Sequence, residues 1–170
     1  ESMETTQRLF GKILKNDWGR GGAWDYYWGA FYPKGGKRIT DPQLFVVLHH
    51  DRLTAGFDIG AYADVKRERF AGNLRRNKAL IAENLERSPF AGRLEFGNDD
   101  VATGAPNRST LEQWLENAAD IGARVGIRYA KDDVLKRDRA SLVAELASLF
   151  NELFLLVLLA AEEEPGTQLR

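Results

Sequence analysis

Asp41 to Gly60 read DPQLFVVLHHDRLTAGFDIG, two strand-like runs joined by a polar elbow. Leu44, Phe45, Val46, Val47 and Leu48 make a continuous apolar, β-branched-rich run, the pattern of a strand covered on both faces. After His49-His50-Asp51-Arg52 the pattern becomes strict alternation. Leu53, Ala55, Phe57 and Ile59 point one way, and Thr54, Gly56 and Asp58 the other. The stretch predicts the central hairpin of a sheet, with the rest of the chain packed on it or paired beside it.

Before the hairpin, Pro33-Lys34-Gly35-Gly36-Lys37-Arg38 is a basic turn, and Trp24 to Tyr32 (WDYYWGAFY) predicts a strand by its ring content. Further back, Trp18 sits in a loop with Gly19-Arg20-Gly21-Gly22. A first helix is expected there, capped by Thr5 or Thr6, with Leu9, Phe10, Ile13 and Leu14 as its apolar face.

After the hairpin, Phe70, Leu74, Ile81 and Leu85 recur at a helical period, predicting one helix over about residues 65–87. Ser88-Pro89 closes it. A short strand is expected at Arg93–Phe96, and Ser109 with Glu112 forms a capping-box pattern for a helix bearing Leu111, Trp114 and Leu115. Arg124 to Tyr129 alternates again. A closing helix from Asp138 to Ala161 carries Leu142, Leu146, Leu149, Phe150, Leu153 and Val157 as its stripe. This order predicts an α+β fold, a single domain over residues 3–161 whose central, largely antiparallel sheet packs against helices. Glu162-Glu163-Glu164-Pro165-Gly166 reads as the start of a linker, residues 162–170, toward a further domain.

Composition bounds the function. The chain has no cysteine, which removes disulfide and thiolate chemistry and fits a reducing, cytoplasmic setting. The longest apolar run, Leu153 to Ala161, is about half of what a membrane crossing needs, so no membrane is expected. Residues 1–87 carry 15 Lys and Arg against 11 Asp and Glu, and residues 88–170 carry 9 against 14. The positive half permits an anionic partner, although the balance is not that of a strongly basic nucleic-acid binder.

Three constellations carry chemistry. The aromatic strand places Trp24, Tyr26 and Trp28 on one face and Tyr27 and Phe31 on the other. One set can fill the core, while the other is available to stack on unpaired bases, with Trp18 nearby. Core filling is the plainer use of such rings. Lys34, Lys37 and Arg38 on the glycine turn, where backbone N–H groups are expected to be free, suit a phosphate, as do Arg69 and Arg76 on one side of the long helix. Asp25 and Asp58 are placed to accept the amino proton of a cytosine-like edge. His49-His50 have no third histidine or cysteine to complete a metal site, so neither metal nor cofactor is expected. Asp58 with Asp64-Val65-Lys66 imitates, at short spacing, the acid and lysine set of metal-dependent nucleases.

Taken together, WDYYWGAFYP (24–33), LFVVL (44–48), LTAGFDIG (53–60), VKRERFAGNLRRN (65–77) and LVAELASLFNELFLLVLLA (142–160), followed by EEEPG (162–166), resemble the N-terminal recognition domains of McrB-like proteins. The resemblance is one of element pattern over most of the chain. It implies a non-catalytic module that binds double-stranded DNA carrying a modified cytosine, in some members by flipping the base into an aromatic pocket. A downstream AAA+ motor of a restriction system supplies nucleotide hydrolysis. The pocket role falls by resemblance on Trp24, Tyr26 and Trp28, with Trp18 as a lid. An assembly domain of a larger ATPase or GTPase machine is the alternative, and a small metal-dependent nuclease a third.

Overall fold

The computed structural model describes residues 3–4, 9–11, 25–60, 62–99, 105–106 and 109–161. Five strands form one antiparallel sheet: β1 (Tyr26–Phe31), β2 (Pro42–His49), β3 (Arg52–Ile59), β4 (Glu95–Phe96) and β5 (Val125–Ala130). Their order is β1-β2-β3-β5-β4, so the hairpin read from the sequence is the centre of the sheet. Trp28 pairs with Val47, Leu44 with Phe57, and Phe57 with Val125.

Register sorts the side chains by face. Phe31, Leu44, Leu53, Ala55, Phe57, Val125, Ile127 and Tyr129 belong to the hydrophobic core or pack against it. Among the described residues five α-helices complete the domain: α1 (Asp64–Arg76), α2 (Lys78–Arg87), α3 (Leu111–Ile121), α4 (Lys131–Leu135) and α5 (Arg139–Ala161). Phe70, Leu74, Ile81 and Leu85 are all buried as their period predicts, and the rings of Phe57, Phe70, Trp114 and Phe96 follow one another at 5.3, 5.9 and 5.6 Å. The single helix expected over 65–87 is broken at Asn77, whose backbone (φ −112, ψ 21) leaves helical geometry. The capping box lies one residue later than read. Thr110 accepts from the Gln113 N–H, and Gln113 accepts from the Thr110 N–H.

Two expectations are corrected. Leu9–Gly11 is extended beside β1, where the Gly11 N–H donates to the Trp28 carbonyl at 2.9 Å and the Ala30 N–H to the Leu9 carbonyl at 2.8 Å. The unpaired edge of β1 satisfies that backbone, and glycine at 11 weakens the helical alternative. The remainder of the predicted helix lies outside the described residues, as does 162–170. The β2 run is not covered on both faces throughout: Leu44 and Phe45 are buried, but Leu48 is 45% exposed at the far end of the strand.

α5 is, by length and composition alone, apolar enough to cross a membrane. It spends one side on the domain, burying Leu149, Leu153, Leu156, Val157, Leu159 and Ala160. Its last turn is held from α1: the buried Asn73 Nδ2 donates to the Leu159 carbonyl at 2.7 Å and Arg69 Nη1 to the Ala161 carbonyl at 2.9 Å. These bonds satisfy carbonyls that a helix end leaves without intrahelical donors.

Candidate functional site

The sheet face away from the core carries Trp28, Phe45, Thr54, Gly56, Asp58, Gly126 and Arg128, following the register. Gly56 and Gly126 are partners across β3 and β5. A Cβ on Gly56 would stand 2.2 Å from the Val125 carbonyl oxygen, so only glycine permits this approach. Arginines cover this face. The Arg124 guanidinium lies 4.5 Å from the centre of the Phe45 ring, and Arg38 lies 4.0 Å from that of Trp28. Arg128 bonds Glu95 and Asp99 at 3.3 and 3.0 Å, and Arg124 Nη1 bonds Asp99 at 3.2 Å.

At the end where β2 begins and β3 finishes, this face opens into a cavity of about 680 Å³, within the range of about 300–1,000 Å³ typical of small-ligand sites. Arg38 and Ile39 before β2, Gln43 of β2, Asp58 of β3, and Tyr62 and Arg67 after it form one part of the wall. Asn98 and Asp99, the end of α3 from Ala118, and Gly122 to Arg124 form the rest. Local chemistry fixes that second part. The buried Trp114 donates its indole N–H to the Gly122 carbonyl at 3.1 Å, and Gly122 adopts a positive φ of 94° against Asn98.

Asp58 is one of three acids in the cavity wall, with Asp99 and Asp120. One Asp58 carboxylate oxygen, Oδ1, accepts from the Ile59 N–H at 2.7 Å, and Oδ2 stands 3.7 Å from Arg124 Nε. That Nε–H is buried without a hydrogen-bond partner. Burial pushes the Asp58 carboxyl above the usual aspartate range, outweighing Arg124, the Ile59 N–H and Arg67, which act the other way. Tyr62, 75% exposed, is among the described residues the exposed aromatic ring of the cavity wall, which the buried Phe70 also lines.

The structure therefore brings together two of the residues singled out from sequence, Asp58 and Arg38, and sets Trp28 behind Arg38. Trp28 is half-buried, its ring also close against Gly11, so one ring face is taken by a guanidinium. Tyr26 is elsewhere, its ring 5.6 Å from that of His49, whose pKa is lowered chiefly by burial and by Arg52. Asp25 is exposed ahead of β1, and neither it nor Tyr26 lines the cavity. Trp18 and Trp24 lie outside the described residues.

Lys34 and Lys37 are exposed on the turn next to Arg38. Two of the backbone donors expected to be free in that turn are bonded within it: the Gly36 N–H donates to the Pro33 carbonyl and the Lys37 N–H to Asp41 Oδ2 at 2.8 Å. Arg69 and Arg76 are on the α1 side that meets α5, Arg69 bonded to Ala161 and Arg76 to Asn73. Asp64 pairs with Arg67 and Lys66 with Asp41, so the nuclease-like set does not converge on Asp58.

Sequence reading missed Tyr62, Arg67, Asp99 and the cavity role of Arg124. Only Arg124 carried a signal, as a polar residue opening the alternating run of β5. The chain matches no family model, and no curated protein matches it.

Proposed function

We propose that this domain is a DNA-recognition module that takes one modified cytosine out of the duplex into the cavity, with chemistry left to other domains or subunits of a cytoplasmic restriction complex. The observation that carries the reading is a cavity of about 680 Å³ lined by both Asp58 and Arg38, an arginine with no ion pair among the described residues, next to exposed Lys34 and Lys37. A flipped base needs an enclosed polar site for its edge, and its backbone needs cations at the rim. Arg38, laid on Trp28, offers a planar cation of the kind on which bases stack. Tyr62 is a second ring at the same place.

An electrophoretic shift comparing duplexes with one 5-methylcytosine against unmodified duplexes tests this reading. Preference for the modified duplex, lost in Arg38→Ala, supports it. Equal absence of binding to both would overturn it.

The assembly reading has its own observation. An apolar groove of about 380 Å³ runs between the sheet and α5, lined by Met3, Phe31, Leu44, Phe150, Asn151 and Phe154. Phe150→Asp should then break association with a partner domain while leaving DNA binding intact.

A further inference from the structure

We infer that the modification this cavity takes is a large uncharged group rich in hydroxyls, a sugar carried on the cytosine ring, and that Asn98 and Asp120 hold it. This deepens the DNA-recognition reading and rests on it. Volume is the first observation. At about 30 Å³ for each non-hydrogen atom, the share of one water in the liquid, the eight atoms of cytosine take roughly 240 Å³ and a methyl roughly 30 Å³ more. The cavity measures about 680 Å³, so a methylated base leaves more than half of it to solvent. A hexose joined through a hydroxymethyl group adds thirteen such atoms to cytosine, and the whole then takes roughly 630 Å³.

The chemistry of the wall is the second. Arg38, Arg67 and Arg124 share it with Asp58, Asp99 and Asp120, so the formal charges cancel and no single sign of ligand is selected. A hydroxyl both donates and accepts, and so suits a carboxylate, a guanidinium or an amide alike. On the strand side, Gln43 and Asp58 are register partners in β2 and β3. On the other side stand Asn98, just after β4, and Asp120, in the last turn of α3. The Asn98 N–H donates to the Ile121 carbonyl at 2.8 Å, which ties the two together. Its side chain lies over Gly122, where a Cβ would come within 2.3 Å of Asn98 Cγ, so glycine there makes the room in which this amide sits. Neither the Asn98 amide nor the Asp120 carboxylate has a hydrogen bond or ion pair among the described residues. Ala118 and Ala119 beside them are small, so this side offers hydrogen-bonding groups and space together. A base edge held on the strand side leaves the α3 side to the substituent.

The test measures, by fluorescence anisotropy, one duplex whose central cytosine is unmodified, 5-methylated or 5-hydroxymethylated and glucosylated. The glucosylated form is expected to bind about tenfold to a hundredfold more tightly than the methylated one, at about tenfold for each added hydrogen bond. Asp120→Ala and Asn98→Ala should each remove about tenfold from that affinity. Ala119→Phe, which fills the space with a ring, should bring it down to that of the methylated form or below. Asp120 and Ala119 are exposed on α3, so these two variants carry the test if Asn98→Ala does not fold. A glucosylated duplex bound no more tightly than the methylated one, with the methylated one still preferred over the unmodified, overturns the inference while leaving DNA recognition standing. A preference for the glucosylated form that survives all three variants overturns the assignment to Asn98 and Asp120.

If no duplex is bound, the free nucleosides separate the two readings. Glucosylated 5-hydroxymethyldeoxycytidine shifting the Asn98 and Asp120 amide resonances, with 5-methyldeoxycytidine leaving them in place, removes only the DNA reading. Absence of that shift overturns the sugar assignment as well.

Discussion

The guanidinium carbon of Arg38 lies 4.0 Å from the centre of the Trp28 ring. The tryptophan that the aromatic strand offers is thereby joined to the cavity through an arginine. Trp28 acts, in this arrangement, by holding Arg38 in one orientation, a cation–π contact of about 0.5–2 kcal/mol.

Arg38→Ala and Trp28→Leu are therefore expected to weaken duplex binding by similar factors, about tenfold each, and the double variant by little more than either. A double-mutant cycle on the binding constants measures the coupling. Full additivity would show that the stacked pair does not act as a unit.

Lys34→Ala with Lys37→Ala should weaken binding to modified and unmodified duplexes alike. If both side chains contact phosphate, the slope of log K against log salt should flatten by about 2. An unchanged slope removes the turn from the interface.

Asp58→Asn is expected to raise stability at neutral pH, by on the order of 1 kcal/mol. The folded carboxyl has a raised pKa, so the folded state holds its proton more tightly than the unfolded chain does. That preference favours folding below the unfolded value and is lost as pH rises through the folded one. The gap between variant and wild type, followed by urea unfolding, should therefore close toward low pH. A constant gap would assign the effect to packing.

Glu145 behaves in the opposite sense. Partial burial pushes its pKa up, but hydrogen bonds from Arg93, Arg137 and Tyr129 outweigh this and hold the carboxyl below the usual glutamate range. Its contribution is present above the unfolded value and lost as pH falls through the folded one. Glu145→Gln should cost about 1–2 kcal/mol at neutral pH, and less in acid. Thermal melts across that range read the difference directly.

Asn73→Ala removes the donor to Leu159 and should cost about 1–3 kcal/mol. Hydrogen exchange at the last turn of α5 should quicken more than exchange at Ile81, which the substitution does not touch. Uniform quickening would mean that Asn73 serves global stability alone.

Much of the fold was legible because burial and period agree in this sequence. Leu53, Ala55, Phe57 and Ile59 alternate and are all buried, and Phe70 through Leu85 keep a helical stripe. The break at Asn77 was not visible, because the apolar spacing runs through it undisturbed. Leu9 and Phe10 misled for the converse reason: a helical-looking pair was claimed by the backbone edge of β1. The cavity was harder still. Its wall is assembled from residues at 38, 58, 62, 98 and 124, and nothing in a linear sequence says that Arg124 will stand beside Asp58. Ring density pointed to Trp24, which lies outside the described residues, and to Tyr26 and Trp28, whereas among the described residues Tyr62, a lone tyrosine in a connecting loop, is the ring exposed at the cavity.

The neighbour of β3 in the sheet is β5, although β4, α1, α2 and α3 intervene along the chain. β1, β2 and β3 form a local meander, able to close at small entropic cost, whereas the β3–β5 pairing must bring together segments far apart in sequence. The meander with its basic turn is therefore the cheaper unit to close, and the docking of β5 the costlier one. Asp58 belongs to the meander and Arg124 to the segment that docks on it. The cavity needs both, and a chain in which β5 had not docked would carry Lys34, Lys37 and Arg38 with no pocket behind them.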